Sequence, residues 1–172
     1  MSRLTLAAAL GFAALGWGFT AGTAAAAPGD ATEKLLKDAK LDYKKTKEST
    51  FRVVIETKEG TSVVAVEERK AAWKDNKGGE VLYVYVYTEV LTTAIDFKPP
   101  TGMLTKIAEV NDRTIFGNLS LVTNPDKSSS VFRNGTLFLK NLDAEQLDDL
   151  IYLTHSAKFS ARKELLPFLE DK

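Results

Sequence analysis

The 172-residue sequence contains no cysteine, one histidine (His155) and no surplus of charge, with 23 lysines and arginines against 23 aspartates and glutamates. Without cysteine there is no disulfide scaffold, thiolate metal site, cysteine nucleophile or lipidated cysteine. A balanced charge argues against an electrostatically driven nucleic-acid binder, which needs basic residues to neutralise phosphates. No segment has the pattern of a calcium loop, a zinc site or a phosphate loop, so no metal or cofactor is expected. The carboxylate pairs Glu67-Glu68 and Asp148-Asp149 are consecutive. Their members point to different sides of a strand or helix, which denies them the convergence that paired acid/base chemistry requires.

What is present begins with an export signal. Residues 1–27 carry a single charge, Arg3, then an apolar stretch from Leu4 to Phe19, then small residues from Thr20 to Ala27. A basic start, an apolar middle and a small-residue exit make a secretory signal peptide. Proline after the cut is disfavoured, so cleavage is expected after Ala26 or Ala25, ahead of Pro28. The uncharged run could span a bilayer of ~20 residues, but its Gly-, Ala- and Thr-rich second half favours a cleaved signal over a stable anchor. Loss of Arg3 leaves 22 basic residues against 23 acidic ones, a net charge of −1. The mature protein is expected to be periplasmic or extracellular, a single domain over residues 28–172. A domain of that size buries ~70% of its unfolded surface and holds together by packing alone.

Asp30 and Glu33 stand in capping-box spacing at the start of a helix expected to end near Lys40. Leu41 to Tyr43 reads as an extended lead-in and Lys44 to Thr50 as a polar turn. Strands are expected at 51–56, 61–68 and 81–91, with connections at Glu59-Gly60 and Lys70 to Gly79. Met103, Leu104, Ile107 and Ala108 give a helix of two to three turns. Strands follow at 116–123 and 131–140, the last with a candidate split at Asn134-Gly135. Asp143 and Gln146 form a second capping box, which opens a long helix that Pro167 interrupts near its end. The expected fold class is α+β, an antiparallel sheet with helices on one face, in the order α-β-β-β-α-β-β(-β)-α.

Four stretches carry a resemblance: Leu35-Leu36-Lys37-Asp38-Ala39-Lys40-Leu41-Asp42-Tyr43, Phe51-Arg52-Val53-Val54, Lys106 to Asn111 with Phe116-Gly117-Asn118-Leu119-Ser120-Leu121, and Leu142-Asp143-Ala144-Glu145-Gln146-Leu147. With the element order, they make the chain resemble the YbjN-like family, whose domain has the fold of the type III secretion chaperones. At Lys40 relatives often have a helix-ending glycine. The resemblance implies a helix-and-sheet module that binds proteins or peptides, often dimerises and does no catalysis.

Two places bear on function. In Val81 to Tyr87, strand alternation puts Tyr83, Tyr85 and Tyr87 on one face and Leu82, Val84, Val86 and Val90 on the other. The aliphatic side is expected to face the helices. The tyrosine side offers rings with an apolar body and a polar tip, suited to a protein, a peptide or a second copy of the chain. Cross-strand packing is the competing role. Trp73, ahead of Asp75, is a second anchor candidate, although packing under a loop is the commoner fate of such a residue. The other place is His155. On the last helix it shares a side with Asp148 and Tyr152, and a partly exposed helix histidine is the expected setting. A hydrolase using His155, or an envelope structural protein, is the alternative to a binding module. A third reading puts a small apolar ligand between sheet and long helix, with a bend at Ser156 to Ser160 making room.

Overall fold

Four β-strands in which apolar and polar residues alternate form the middle of the molecule: β2 (Thr50–Thr57), β3 (Gly60–Lys74), β4 (Glu80–Thr92) and β6 (Ser129–Phe138). The computed structural model describes residues 27–170. Two edge strands, β1 (Tyr43–Lys47) and β5 (Asn118–Thr123), complete a six-stranded sheet in the order β1-β2-β3-β4-β6-β5, with antiparallel pairing throughout. The helices are α1 (Asp30–Asp38), α2 (Thr101–Asp112), α3 (Ala144–Leu165) and a short α4 (Pro167–Glu170), with a 3₁₀ turn at Leu139–Asn141. The fold is the α+β arrangement expected. The expected signal peptide, residues 1–27, lies outside the described residues apart from Ala27. Among the described residues no helix is long and apolar enough to cross a membrane.

One face of the sheet is the core. Phe51, Val53 and Ile55 of β2, Val64 and Val66 of β3, and Val84 and Val86 of β4 pack with Leu147, Leu150 and Ile151 of α3 and Leu36 of α1. A second cluster joins Met103, Ile107 and Val110 of α2 to Leu119, Val131, Ala161 and Leu165. Each of these Val, Leu, Ile, Phe and Met side chains removed from water contributes about 1.5–3 kcal/mol. Helix α3 opens with the anticipated capping box: Asp143 Oδ1 accepts Gln146 N–H at 2.8 Å, and Gln146 Oε1 accepts Asp143 N–H at 3.3 Å. It ends at Leu165, two residues before Pro167, and it runs as one continuous helix through Ser156 to Ser160, without a break there.

Four local expectations are corrected. Lys44 to Lys47 is not a turn but most of β1, paired with β2 through Tyr43↔Val53 and Lys45↔Phe51. An edge strand with water beside it needs no apolar run, and lysines there discourage further pairing. The connection after β3 is shorter than expected, since the strand continues to Lys74 past a register irregularity after Lys70. Strand β6 is continuous at Asn134-Gly135 because Gly135 lies under α3, where a Cβ would come within 2.7 Å of Leu150 Cδ1.

The fourth concerns α1, which has no side-chain capping box. Its N-cap is Gly29, and the Glu68 carboxylate of β3 accepts Gly29 N–H at 3.1 Å, Thr32 N–H at 3.3 Å and the Thr32 hydroxyl at 2.9 Å. A carboxylate there satisfies the helix's unpaired donors and its positive dipole end, and it ties α1 to the sheet. Glu33 is used elsewhere. Hydrogen bonds from Lys45, Lys37 and Tyr43 hold its carboxyl down at about 2. The helix ends at Asp38, and Lys40 adopts φ 56°. That left-handed conformation favours glycine over a residue with a Cβ. Lys40→Gly is therefore expected to stabilise the protein by about 0.5 kcal/mol, relief of left-handed strain outweighing the added freedom of the unfolded chain. The thermal midpoint should rise by about 2 °C, which a melting curve reads directly.

Candidate partner-binding face

All the helices lie on the valine side of the sheet, so the opposite face is open. On it Tyr83, Tyr85 and Tyr87 stand in a row, each half-buried. Strand register places Arg69, Glu67 and Ala65 of β3 beside them on one flank, and Phe138, Thr136 and Asn134 of β6 on the other. The Arg69 guanidinium stacks 4.0 Å from the Tyr85 ring centre, and its Nε donates to Glu67 Oε2 at 2.7 Å. The other carboxylate oxygen, Glu67 Oε1, accepts the Tyr87 hydroxyl at 2.8 Å. Tyr85 and Tyr87 lie 5.3 Å apart, and Tyr87 meets Phe132 edge-on at 6.0 Å.

The electrostatics follow from this packing. Partial burial, then the hydrogen bond to Glu67, push the Tyr87 hydroxyl up to about 12. Burial also raises Tyr85. Burial works against the Arg69 cation, but the Glu67 carboxylate outweighs it and Arg69 stays above its ordinary value. The Tyr85 and Tyr87 phenols therefore remain neutral hydrogen-bonding groups, and Arg69 keeps its charge while lying flat on a ring, an arrangement that contributes roughly 0.5–1 kcal/mol. Tyr87 is fully engaged within the protein. The Tyr83 and Tyr85 hydroxyls have no hydrogen-bond partner among the described residues. Around the stripe, Val54 (55% exposed) faces Val63 (49%) across β2 and β3, and Phe138 (58%) lies beside Tyr83. The result is a rigid band of rings, aliphatic side chains and one arginine, the residue types that anchor protein interfaces.

The sequence-predicted residues are not all brought together. Tyr83, Tyr85 and Tyr87 share the face, as strand alternation required. Trp73 does not join them. It belongs to β3 itself, beyond the register irregularity, and is 60% exposed with no ring contact to the stripe. Packing under a loop is thus corrected to exposure on a hairpin arm. Arg69 and Glu67 were missed because only register reveals them: a basic and an acidic residue two apart on a strand look like a solvated edge until the tyrosines are set opposite. Glu67 and Glu68 do diverge, one to the open face and one to the α1 N-terminus.

The setting expected for His155 is overturned. It is fully buried. Nδ1 lies 2.5 Å from Ser62 Oγ and Nε2 lies 2.9 Å from Thr57 Oγ1, with Phe159 against the ring edge-on at 5.1 Å. Thr57 Oγ1 already accepts Glu59 N–H at 3.2 Å. Each ring nitrogen thus meets one hydroxyl, and in the neutral ring one nitrogen donates while the other accepts. Burial lowers the imidazole pKa. Asp148 makes no hydrogen bond or ion pair with His155. Burial, then Asp149, raise its pKa, and its Oδ1 is buried without a hydrogen-bond partner. Asp148, Tyr152 and His155 therefore assemble no catalytic group. A serine among the valines of the inner face of β3 was the available signal, since a hydroxyl aimed into a core needs a partner. Among the described residues no cluster of three metal-ligating side chains occurs.

No protein-family model matches the chain, and no curated protein matches it in sequence. Solved structures do share its fold. The chain is similar to YbjN from E. coli, described as a candidate transcription regulator, at 9% identity and a TM-score of 0.51, covering 79% of this chain and 89% of that one. It is also similar to a chain of the heterodimeric ExoU-SpcU complex from the type III secretion system of Pseudomonas aeruginosa, at 15% identity and a TM-score of 0.46, covering 81% and 98%. An uncharacterised protein from Methanothermobacter thermautotrophicus matches at 13% identity and a TM-score of 0.46, covering 80% and 96%.

Proposed function

We propose that this chain is an exported, non-enzymatic module of the YbjN-like family that binds a protein or peptide, or a second copy of itself, through the open face of its sheet. The observation that carries the reading is the tyrosine stripe with its Arg69-Glu67 brace. Half-buried rings lose little freedom on binding, and the Tyr83 and Tyr85 hydroxyls have no hydrogen-bond partner among the described residues. Such a face differs from scattered exposed residues, which every soluble protein has. The complete burial of His155, which keeps a substrate from its ring, disfavours the hydrolase alternative.

The test pairs native mass with affinity capture from the exported fraction, for the wild-type chain and for Tyr83→Ser with Tyr85→Ser. Two hot-spot aromatics removed together should weaken capture, or self-association, by at least about a hundredfold. The mature mass should begin after Ala26 or Ala25. Unchanged partners and unchanged oligomeric state in a folded double variant would reduce the stripe to sheet packing. An intact Met1 on the exported chain would remove the cleaved signal.

A further inference from the structure

The helix-covered side of the sheet holds a charge without a counter-charge. Arg133 of β6 is 6% exposed. Its Nη2 donates to the Phe116 carbonyl. Among the described residues it has no carboxylate partner: the ion pairs there join other groups, and burial alone lowers its pKa, with no neighbouring charge contributing. Asp148 Oδ1 is the one buried side-chain polar atom left without a partner among the described residues. The remaining N–H groups of Arg133 are therefore not sealed in. They open onto a cleft of about 870 Å³ between α3 and the segment that joins α2 to β5. Ile115 (90% exposed), Phe116 (58%) and Leu153 (52%) line it, together with Ser156 and Ser160. Four other charged residues line it: Arg113 and Glu164, which pair with each other at 2.6 Å, and Glu59 and Lys163.

A buried cation is costly unless an anion meets it. A planar guanidinium with unfilled N–H groups is shaped for a carboxylate. We propose that this cleft takes the C-terminal carboxylate of a peptide whose last residues are apolar. Arg133 holds the carboxylate, and Ile115, Phe116 and Leu153 receive the side chains. The proposal rests on the reading of the chain as a peptide or protein binder and adds a second site, on the opposite side of the sheet from the tyrosines. The cleft is open and carries hydroxyls at intervals, which suits the amide groups of a peptide. A fatty acyl chain calls for a closed apolar tunnel.

The experiment is fluorescence anisotropy on the purified chain with two pools of labelled hexapeptides. Both have mixed apolar residues in the last two positions; one has a free C-terminal carboxylate and the other an amide. The acid pool is expected to bind at least about tenfold more tightly. Arg133→Gln should abolish that preference. Should Arg133→Gln unfold the chain, Ile115→Glu at an exposed position places a repelling carboxylate beside the cleft and should weaken acid-pool binding by about tenfold. The Tyr83→Ser, Tyr85→Ser variant should keep the full acid preference even where it loses partner capture, so failure of one site is distinguishable from failure of the other. Equal binding of acid and amide, no binding of either pool, or binding of dodecanoate alone overturns the proposal.

Discussion

Gly117→Ala is expected to destabilise the protein by about 3 kcal/mol or more, lowering the thermal midpoint by roughly 10 °C. Two effects add. Gly117 has φ 70°, where an L-residue is strained by roughly 1–2 kcal/mol. An added Cβ would also lie 1.8 Å from the Asn134 carbonyl oxygen, 2.8 Å from its carbon and 3.2 Å from Gly135 Cα. Those atoms are backbone of β6, which is hydrogen-bonded to β4 on one side and β5 on the other, so they have nowhere to go. Gly78 separates the two effects. It has φ 79°, and a Cβ added there would meet nothing within 4 Å, so Gly78→Ala should cost about 1 kcal/mol from strain alone. Calorimetry of both variants decides the matter. Equal losses would mean that close approach of Gly117 to β6 contributes nothing.

The same glycine shows how far local sequence reaches. Phe116-Gly117-Asn118 is recognisable as a strand entry, yet the reason for glycine lies in a strand that follows it in the chain. Features set within one element were legible: the Asp143 and Gln146 box, the interruption at Pro167, and the parity that puts three of five tyrosines on one side of β4. Features that join elements were not. The cap of α1 comes from Glu68, 36 residues after Thr32. The Arg69-Tyr85 stack depends on the register of β3 against β4. Strand β1 escaped notice because an edge strand with a wet surface has no apolar alternation to reveal it. Arg133 sits at an inward position between Val131 and Gly135, where a charged residue reads as an interruption rather than as the wall of a cleft.

His155 is the clearest case of chemistry hidden by such joining, and its removal carries the second large effect. His155→Leu is expected to cost about 2 kcal/mol at pH 7, because the buried Ser62 hydroxyl and the Thr57 hydroxyl lose their shared partner. The pH dependence gives the sharper test. Burial lowers the imidazole pKa from its ordinary 6.5. Above 6.5 the ring is neutral in both folded and unfolded chains, so it adds no slope. As the pH falls below 6.5, the unfolded chain takes up a proton that the folded chain refuses, and stability drops by up to about 1.4 kcal/mol per pH unit until the folded pKa is reached. The leucine variant has no such proton to take. Its deficit relative to wild type should therefore shrink between pH 6.5 and 5. The raised Asp148 titrates in the opposite sense, gaining stability on protonation, but it is present in both proteins and cancels in the difference. Urea unfolding at a series of pH values measures the gap. A gap that stays constant would mean that the folded protein protonates His155 as readily as the unfolded chain does. The single histidine of the sequence then could serve as an accessible base after all, and the hydrolase alternative would regain its only candidate.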